Sequence, residues 1–135
     1  MSGGKRRPVA EVVIDASALL ALLNDEPGAA EVAEALSGGI TSSVNLSEVV
    51  AKLSEAGMPE EAIRKTLQLL ELKILPFEEE QAYQAGFLRP STRQMGISSG
   101  DRACVSLAKM LDIPVLTTDR VWKELSLGVK VKVIR

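Results

Sequence analysis

Four acidic residues of this 135-residue chain stand where carboxylates could act together: Asp15, Glu48, Asp101 and Asp119. Asp15 directly follows the apolar run Val12–Ile14, and Asp119 follows Thr118, just beyond the run Val115–Thr117. In open α/β sheets ligands bind beyond the carboxyl ends of the strands, so these two side chains are expected to face one crevice. Grouped carboxylates supply the oxygen ligands that Mg²⁺ and Mn²⁺ prefer.

Each acid, taken singly, also has an ordinary structural explanation. Asp15 and Asp119 are suited to cap the helices that follow them. Ser98 and Asp101 have the spacing of a capping box, with Asp in place of the usual Glu or Gln. Glu48 has a lysine four residues further on, the spacing of a solvent-facing ion pair, whereas an inward-facing Glu48 would need a partner or a metal. The residues alone leave these alternatives open.

The chain contains no histidine and one cysteine, Cys104. This composition excludes the Ser-His-Asp and Cys-His mechanisms and leaves no donor set for the usual zinc sites. Catalysis therefore has to use carboxylates, hydroxyls, lysines or a metal ion held by oxygen. A lone cysteine cannot form an internal disulfide, and no apolar run reaches the roughly 18 residues of a membrane helix. We therefore expect a cytoplasmic protein without a membrane segment.

The charge is distributed unevenly along the chain although the net charge is only −2. Residues 1–85 hold 7 Lys and Arg against 14 Asp and Glu, and residues 86–135 hold 9 against 4. The second part could present a basic surface to an anionic partner, or its charges could be ordinary solvated faces. The sequence leaves both interpretations open.

Strands alternate with helices along the chain. Apolar and β-branched runs predict strands at residues 12–14, 40–41, 74–75, 115–117 and 129–133. Helical spacing and helix end signals predict helices at 16–23, 29–36, 44–56, 59–70, 78–88, 99–111 and 119–125, with a polar loop at 91–98. This order indicates an α/β fold in which a short, mostly parallel sheet lies between two layers of helices. We expect a flexible N-terminus at residues 1–10 and a single domain at residues 11–135.

Four segments of the chain resemble, in order, the four motifs of PIN-domain nucleases. These are Val13–Leu19, Thr41–Val49, Gly96–Ala108 and Leu116–Trp122, and each contains one of the four acids. The acids are separated by 33, 53 and 18 residues. Each motif is weak alone, but four in the expected strand and helix contexts make a strong signal. The resemblance covers residues 11–135 and implies a three-layer α/β/α PIN-like fold.

The resemblance also implies an activity, a cofactor and a set of roles. Asp15, Glu48, Asp101 and Asp119 would form the catalytic cluster of an endoribonuclease that uses one or two Mg²⁺ or Mn²⁺ ions to hydrolyse phosphodiester bonds. Glu48 would be a metal ligand or the base that orients water, and the other three would be ligands. Supporting roles fall to Ser17, Asn45 and Thr118. Apart from the resemblance, Arg102, Arg120 and Lys123 lie beside two of the acids and are candidates for phosphate contacts, or they belong to an ordinary solvated helix face. Single-stranded or loop RNA is the expected substrate.

Within the family, the compact length and the stretches around Asp101 and Asp119 are most similar to the VapC toxins of toxin-antitoxin pairs. That similarity implies a homodimer and a small antitoxin, with the apolar helices over 44–70 as the interaction surface or as ordinary core. The alternatives are an RNA-processing PIN nuclease and an inactive PIN-like RNA-binding module. A response-regulator receiver lacks support because no paired acids follow the first strand. A phosphatase with an Asp-x-Asp motif is disfavoured by Asp15-Ala16-Ser17.

Overall fold

The computed structural model describes residues 10–135. The expected flexible N-terminus, residues 1–10, lies outside the described residues except for Ala10. The strands are β1 (Val12–Ile14), β2 (Gly39–Ser42), β3 (Lys73–Leu75), β4 (Val115–Thr117) and β5 (Val131–Val133). The helices are α1 (Ala16–Leu23), α2 (Ala29–Ala35), α3 (Ser43–Glu55), α4 (Glu60–Leu69), α5 (Glu79–Phe87), α6 (Arg89–Thr92) and α7 (Ser99–Leu111), with 3₁₀ turns at Leu36–Gly38 and Arg120–Glu124.

Within these residues the strands form one sheet in the order β3-β2-β1-β4-β5, and all four pairings are parallel. The chain builds outward from β1 to β3 and then returns to add β4 and β5 on the other side of β1. The boundary between β1 and β4 is therefore the point where the strand order reverses, which is where α/β sheets bind ligands. Ile14 pairs with Leu116, so Asp15, just after β1, and Thr117, the last residue of β4, lie side by side at the carboxyl ends of the two strands.

The two faces of the sheet carry separate halves of the core. Val13 and Val115 point to one face, where they pack with α7 residues such as Leu107. Ile14 and Leu116 point to the opposite face, where they pack against α1 and α3. Successive strand residues alternate in this way because their side chains project to opposite sides of the pleat. The expected three-layer α/β/α fold is thus confirmed, and the sheet is wholly parallel in the described residues.

The predicted elements differ from the structure mainly at their ends. Helix α5 ends at Phe87, and Pro90 lies inside the short helix α6, where the missing N–H of a proline in a first turn is tolerated. The predicted polar loop therefore begins only after Thr92. The last strand is shorter than predicted, Val131–Val133, and the predicted helix at 119–125 is a 3₁₀ turn.

Among the described residues there is no helix with the length and apolar character required to span a membrane.

Candidate active site

Asp15 lies immediately after β1, and the residue is only 3% exposed. It occupies the cap position of α1, but its carboxylate makes no capping hydrogen bond to the helix backbone. Oδ2 instead accepts hydrogen bonds from the hydroxyls of Ser17 at 2.6 Å and Thr117 at 3.0 Å. The carboxylate is therefore held by side chains at the sheet edge, and simple helix capping does not explain its position.

Thr117 links β1 and β4 at the level of this carboxylate. Its hydroxyl donates to Asp15, accepts from the backbone N–H of Asp119 at 3.1 Å and lies 3.3 Å from Ser17 Oγ. The neighbouring residue Thr118, which the sequence indicated as the supporting hydroxyl, contributes its backbone N–H to Ser17 Oγ at 3.2 Å. Thr117 is a site residue that the sequence motifs did not indicate. A polar residue at the buried end of an apolar strand was the signal for it.

Glu48 comes from α3, which begins directly after β2. Its Oε1 accepts a 2.7 Å hydrogen bond from Nδ2 of the fully buried Asn45, and its carboxylate lies against Gly100 in the first turn of α7. The surface ion pair with Lys52 that the spacing allowed is not formed in the described part of the chain. Glu48 thus faces the gap between α3 and α7.

Asp101 and Asp119 have one oxygen each in a helix cap. Oδ2 of Asp101 accepts from the backbone N–H of Ser98 at 2.9 Å, which completes a capping box at the start of α7. Oδ1 of Asp119 accepts from the N–H of Val121 at 3.0 Å. The capping explanation therefore holds for both residues. In each residue the cap uses one of the two carboxylate oxygens, and the second oxygen accepts no hydrogen bond from residues 10–135.

The four acids are close enough for the charge of one to change the pKa of another. Burial raises the pKa of Asp15 from 3.8 to about 6, hydrogen bonds from Ser17 and Thr117 oppose that rise, and the negative charges of Asp101 and Glu48 add to it. Burial also raises the pKa of Asp101, with a smaller contribution from the charge of Asp119. The structure therefore brings the four predicted acids to one edge of the sheet, as electrostatic neighbours.

The donor chemistry of this cluster fits a hard divalent cation. As the side chains stand, no group of three or more His, Cys, Asp and Glu in residues 10–135 is arranged to hold a metal ion. The donors are nevertheless all carboxylates, and the charged neighbours that influence the buried Asp15 are two other acids. Mg²⁺ and Mn²⁺ suit such oxygen ligands. Cys104 is no competing ligand, since burial raises the pKa of its thiol and keeps it protonated.

The three basic residues singled out by sequence are placed differently. Arg102 is half-buried, and its Nη1 donates to the carbonyl of Ile97 at 3.1 Å. Arg120 is exposed, and its Nε donates to the carbonyl of Arg135 at 3.1 Å. Lys123 is exposed on the 3₁₀ turn after Asp119. The side chain of Lys123 projects to solvent, whereas both arginines are partly engaged by backbone carbonyls.

Replacing Thr117 by valine is expected to weaken both the fold and the site. The substitution keeps the side-chain shape, leaves the Asp119 N–H without a partner and leaves the Asp15 carboxylate with Ser17 as its one hydroxyl donor. We therefore expect a loss of about 1–3 kcal/mol in the free energy of unfolding. Urea denaturation would measure it. Thr118→Val is the matched control, because the Thr118 hydroxyl makes no hydrogen bond to the described residues. Equal stability of the two variants would contradict the linking role of Thr117.

The PIN-domain family model matches residues 12–127 of the chain. This range includes Asp15, Glu48, Asp101 and Asp119, together with all strands except β5. No curated protein sequence matches the chain significantly.

Several solved structures have the same fold. A DNA-bound VapBC from Salmonella typhimurium is 17% identical, with a TM-score of 0.73 over 93% of this chain and 99% of that chain. A toxin-antitoxin complex from Klebsiella pneumoniae is 15% identical, with a TM-score of 0.71 over 93% and 98%. A VapBC-family member from Mycobacterium tuberculosis is 23% identical, with a TM-score of 0.57 over 93% and 98%. At these identities the structures establish the fold, and the match over residues 12–127 shows that the chain belongs to the PIN-domain family.

Proposed function

We propose that this protein is a Mg²⁺- or Mn²⁺-dependent endoribonuclease that hydrolyses RNA phosphodiester bonds at the cluster of Asp15, Glu48, Asp101 and Asp119. The observation that carries the proposal is the environment of Asp15. Its carboxylate is buried, makes no cap for its own helix, is held by the hydroxyls of Ser17 and Thr117, and has Asp101 and Glu48 as charged neighbours. Burying a carboxylate without a cationic side chain is unfavourable for folding alone. A function that uses the negative charge explains why a carboxylate is present at this buried position.

The surroundings of the four acids suggest which of them would bind the metal ion and which would act on the attacking water. Asp15, Asp101 and Asp119 are the proposed metal ligands, each contributing an oxygen that no helix cap uses. Together they would hold a divalent ion, which would lower the pKa of a bound water and neutralise negative charge on a phosphate. Glu48 would bind the ion at a second position or act as the base that orients the attacking water, and Asn45 holds its carboxylate on one side.

RNA would reach this edge of the sheet along its basic neighbours. We place phosphate contacts at Arg102, Arg120 and Lys123, which flank Asp101 and Asp119 in sequence. Contacts to phosphate position a strand without reading its bases, and their strength falls as salt rises. Single-stranded or loop RNA suits an open sheet edge, since its backbone and bases are accessible. RNA affinity that did not change with salt would argue against these contacts.

The test is cleavage of end-labelled single-stranded RNA by wild type and by Asp101→Asn. Wild type is expected to cut in Mg²⁺ or Mn²⁺ and to stop in excess EDTA, while the variant stays inactive in both metals. An asparagine at this position can still accept from the Ser98 N–H, so the α7 cap is kept and the loss of cutting would report on the carboxylate. EDTA-resistant cutting, or an active Asp101→Asn, would contradict the proposal. If the generic RNA is not cut, a panel of intact tRNA and rRNA would test whether the protein requires a specific substrate.

We further propose that the protein is the toxin of a toxin-antitoxin pair, and that it forms a homodimer. Support comes from the solved structures of the same fold, several of which are VapBC or toxin-antitoxin complexes. The helices over 44–70 divide as the sequence allowed. Val49, Leu53 and Ile63 are core, whereas Leu46, Val50 and Leu67 line an open groove of about 490 Å³ between α3 and α4, together with one side of Ile63 and several polar side chains.

A small antitoxin that binds in that groove and blocks the acidic crevice would inhibit cleavage. The proposal predicts a short gene directly upstream whose product co-purifies with this chain and inhibits its ribonuclease activity. Light scattering of the isolated chain would measure its oligomeric state. If no protein co-purifies and no such gene is present, an RNA-processing nuclease outside a toxin-antitoxin pair becomes the better assignment.

A further inference from the structure

Gly100 occupies a helical position that has no backbone need for glycine. It lies in the first turn of α7 and is buried, and its φ is not in the left-handed region. Glycine inside a helix is less stable than alanine, so local structure disfavours it here. The lack of space around this position explains why it holds a glycine. A Cβ at this position would lie 2.5 Å from both Cδ and Oε1 of Glu48, closer than real Cβ contacts allow.

Asn45 holds the same carboxylate from the other side. Its Nδ2 donates to Glu48 Oε1 at 2.7 Å and to the carbonyl of Gly100 at 3.1 Å. Its Oδ1 is fully buried and makes no hydrogen bond within the described part of the chain. Rotating the amide would not correct this, because it would turn Oδ1 towards two acceptors. The side chain therefore leaves one polar atom unsatisfied while both of its donors are used at this junction.

We propose that Gly100 and Asn45 together form a seat for the Glu48 carboxylate, and that this seat sets how Glu48 contributes to binding of the divalent cation. Gly100 supplies the space, and Asn45 supplies the hydrogen bond that holds Oε1 there. The seat also ties α3 to α7, and thereby fixes Glu48 relative to Asp101, the residue after Gly100. Both are positioning residues, because neither is placed against the reacting atoms. The inference rests on the proposed function.

Gly100→Ala tests the seat directly. The new methyl group must displace the Glu48 carboxylate from Asn45. We expect Mn²⁺ affinity, measured by isothermal titration calorimetry, to fall about tenfold or more, in the range seen when residues that orient metal ligands are changed. RNA cleavage should fall in parallel. Gly86→Ala, in α5, is the matched control: a Cβ there meets no atom within 4 Å, so Mn²⁺ affinity and cleavage should stay at wild-type values.

A double-mutant cycle separates the seat from a general packing defect. In a Glu48→Ala background there is no carboxylate to displace, so adding Gly100→Ala should leave Mn²⁺ affinity unchanged. A loss that persists in that background, or a single Gly100→Ala variant with wild-type Mn²⁺ affinity, would overturn the inference. The cycle also applies if Gly100→Ala alone folds poorly, since removing Glu48 relieves the clash. Wild-type protein that binds no Mn²⁺ would overturn the proposed function itself, and the inference with it.

Discussion

Asp15→Asn is expected to abolish RNA cleavage without loss of the fold. The substitution replaces one carboxylate oxygen by an amide and removes the charge, while the remaining oxygen still accepts from Ser17 and Thr117. Removing a metal-binding charge forfeits several kcal/mol of transition-state stabilisation, and each 1.36 kcal/mol is tenfold in rate, so we expect a drop of about a thousandfold. Cleavage of labelled RNA under saturating Mn²⁺ would measure it, with circular dichroism to verify folding.

Asp112→Asn is the matched control for this variant. Asp112 ends α7 in a left-handed conformation, with φ 55°, and is exposed. Asparagine tolerates that conformation, so the same change of chemical group is made away from the acid cluster. We expect wild-type cleavage. A folded Asp15→Asn variant that cuts RNA at the wild-type rate would refute the assignment of Asp15 as a catalytic carboxylate.

Asp15→Asn is also expected to stabilise the metal-free protein at neutral pH. Because burial raises the pKa of Asp15 from 3.8 to about 6, folding favours its protonated form. Its contribution to stability is therefore complete below about pH 4 and is lost as the pH rises through 6. A rise of about 2 units corresponds to about 3 kcal/mol at pH 7 and above. The asparagine side chain does not ionise, and we therefore expect Asp15→Asn to gain about 1–3 kcal/mol there and nothing at pH 4.

Urea denaturation in EDTA at pH 4 and at pH 7.5 would measure this difference. Mn²⁺ at 1,000 times its dissociation constant should reverse the order of stability, since it would stabilise the wild type by about 4.1 kcal/mol, and the variant offers the ion one carboxylate fewer. A stability difference that is independent of pH would contradict the assigned pKa of Asp15. Failure of Mn²⁺ to stabilise wild type would contradict the metal site.

The order of strands and helices could be predicted because local patterns determine it. Val12–Ile14 and Val115–Thr117 are continuous apolar or β-branched runs, and the structure has strands at these residues. Helices α1 and α7 begin and end where the apolar spacing indicated. The ends of other elements were less certain, as at Pro90, because a proline in a first helical turn and a proline beyond a helix look alike in sequence.

The sequence by itself determined which residues could form the site: four acids in four motifs, no histidine to offer an alternative, and strands that end at Asp15 and near Asp119. Tertiary structure decided what each one contacts. Only the parallel pairing of β1 with β4 puts the Thr117 hydroxyl, and not that of Thr118, on Asp15. Only the packing of α3 on α7 turns Glu48 away from Lys52 and towards Gly100. The physical reason is that residue spacing specifies a face of a local element, whereas hydrogen-bond partners more than 50 residues away depend on how those elements pack.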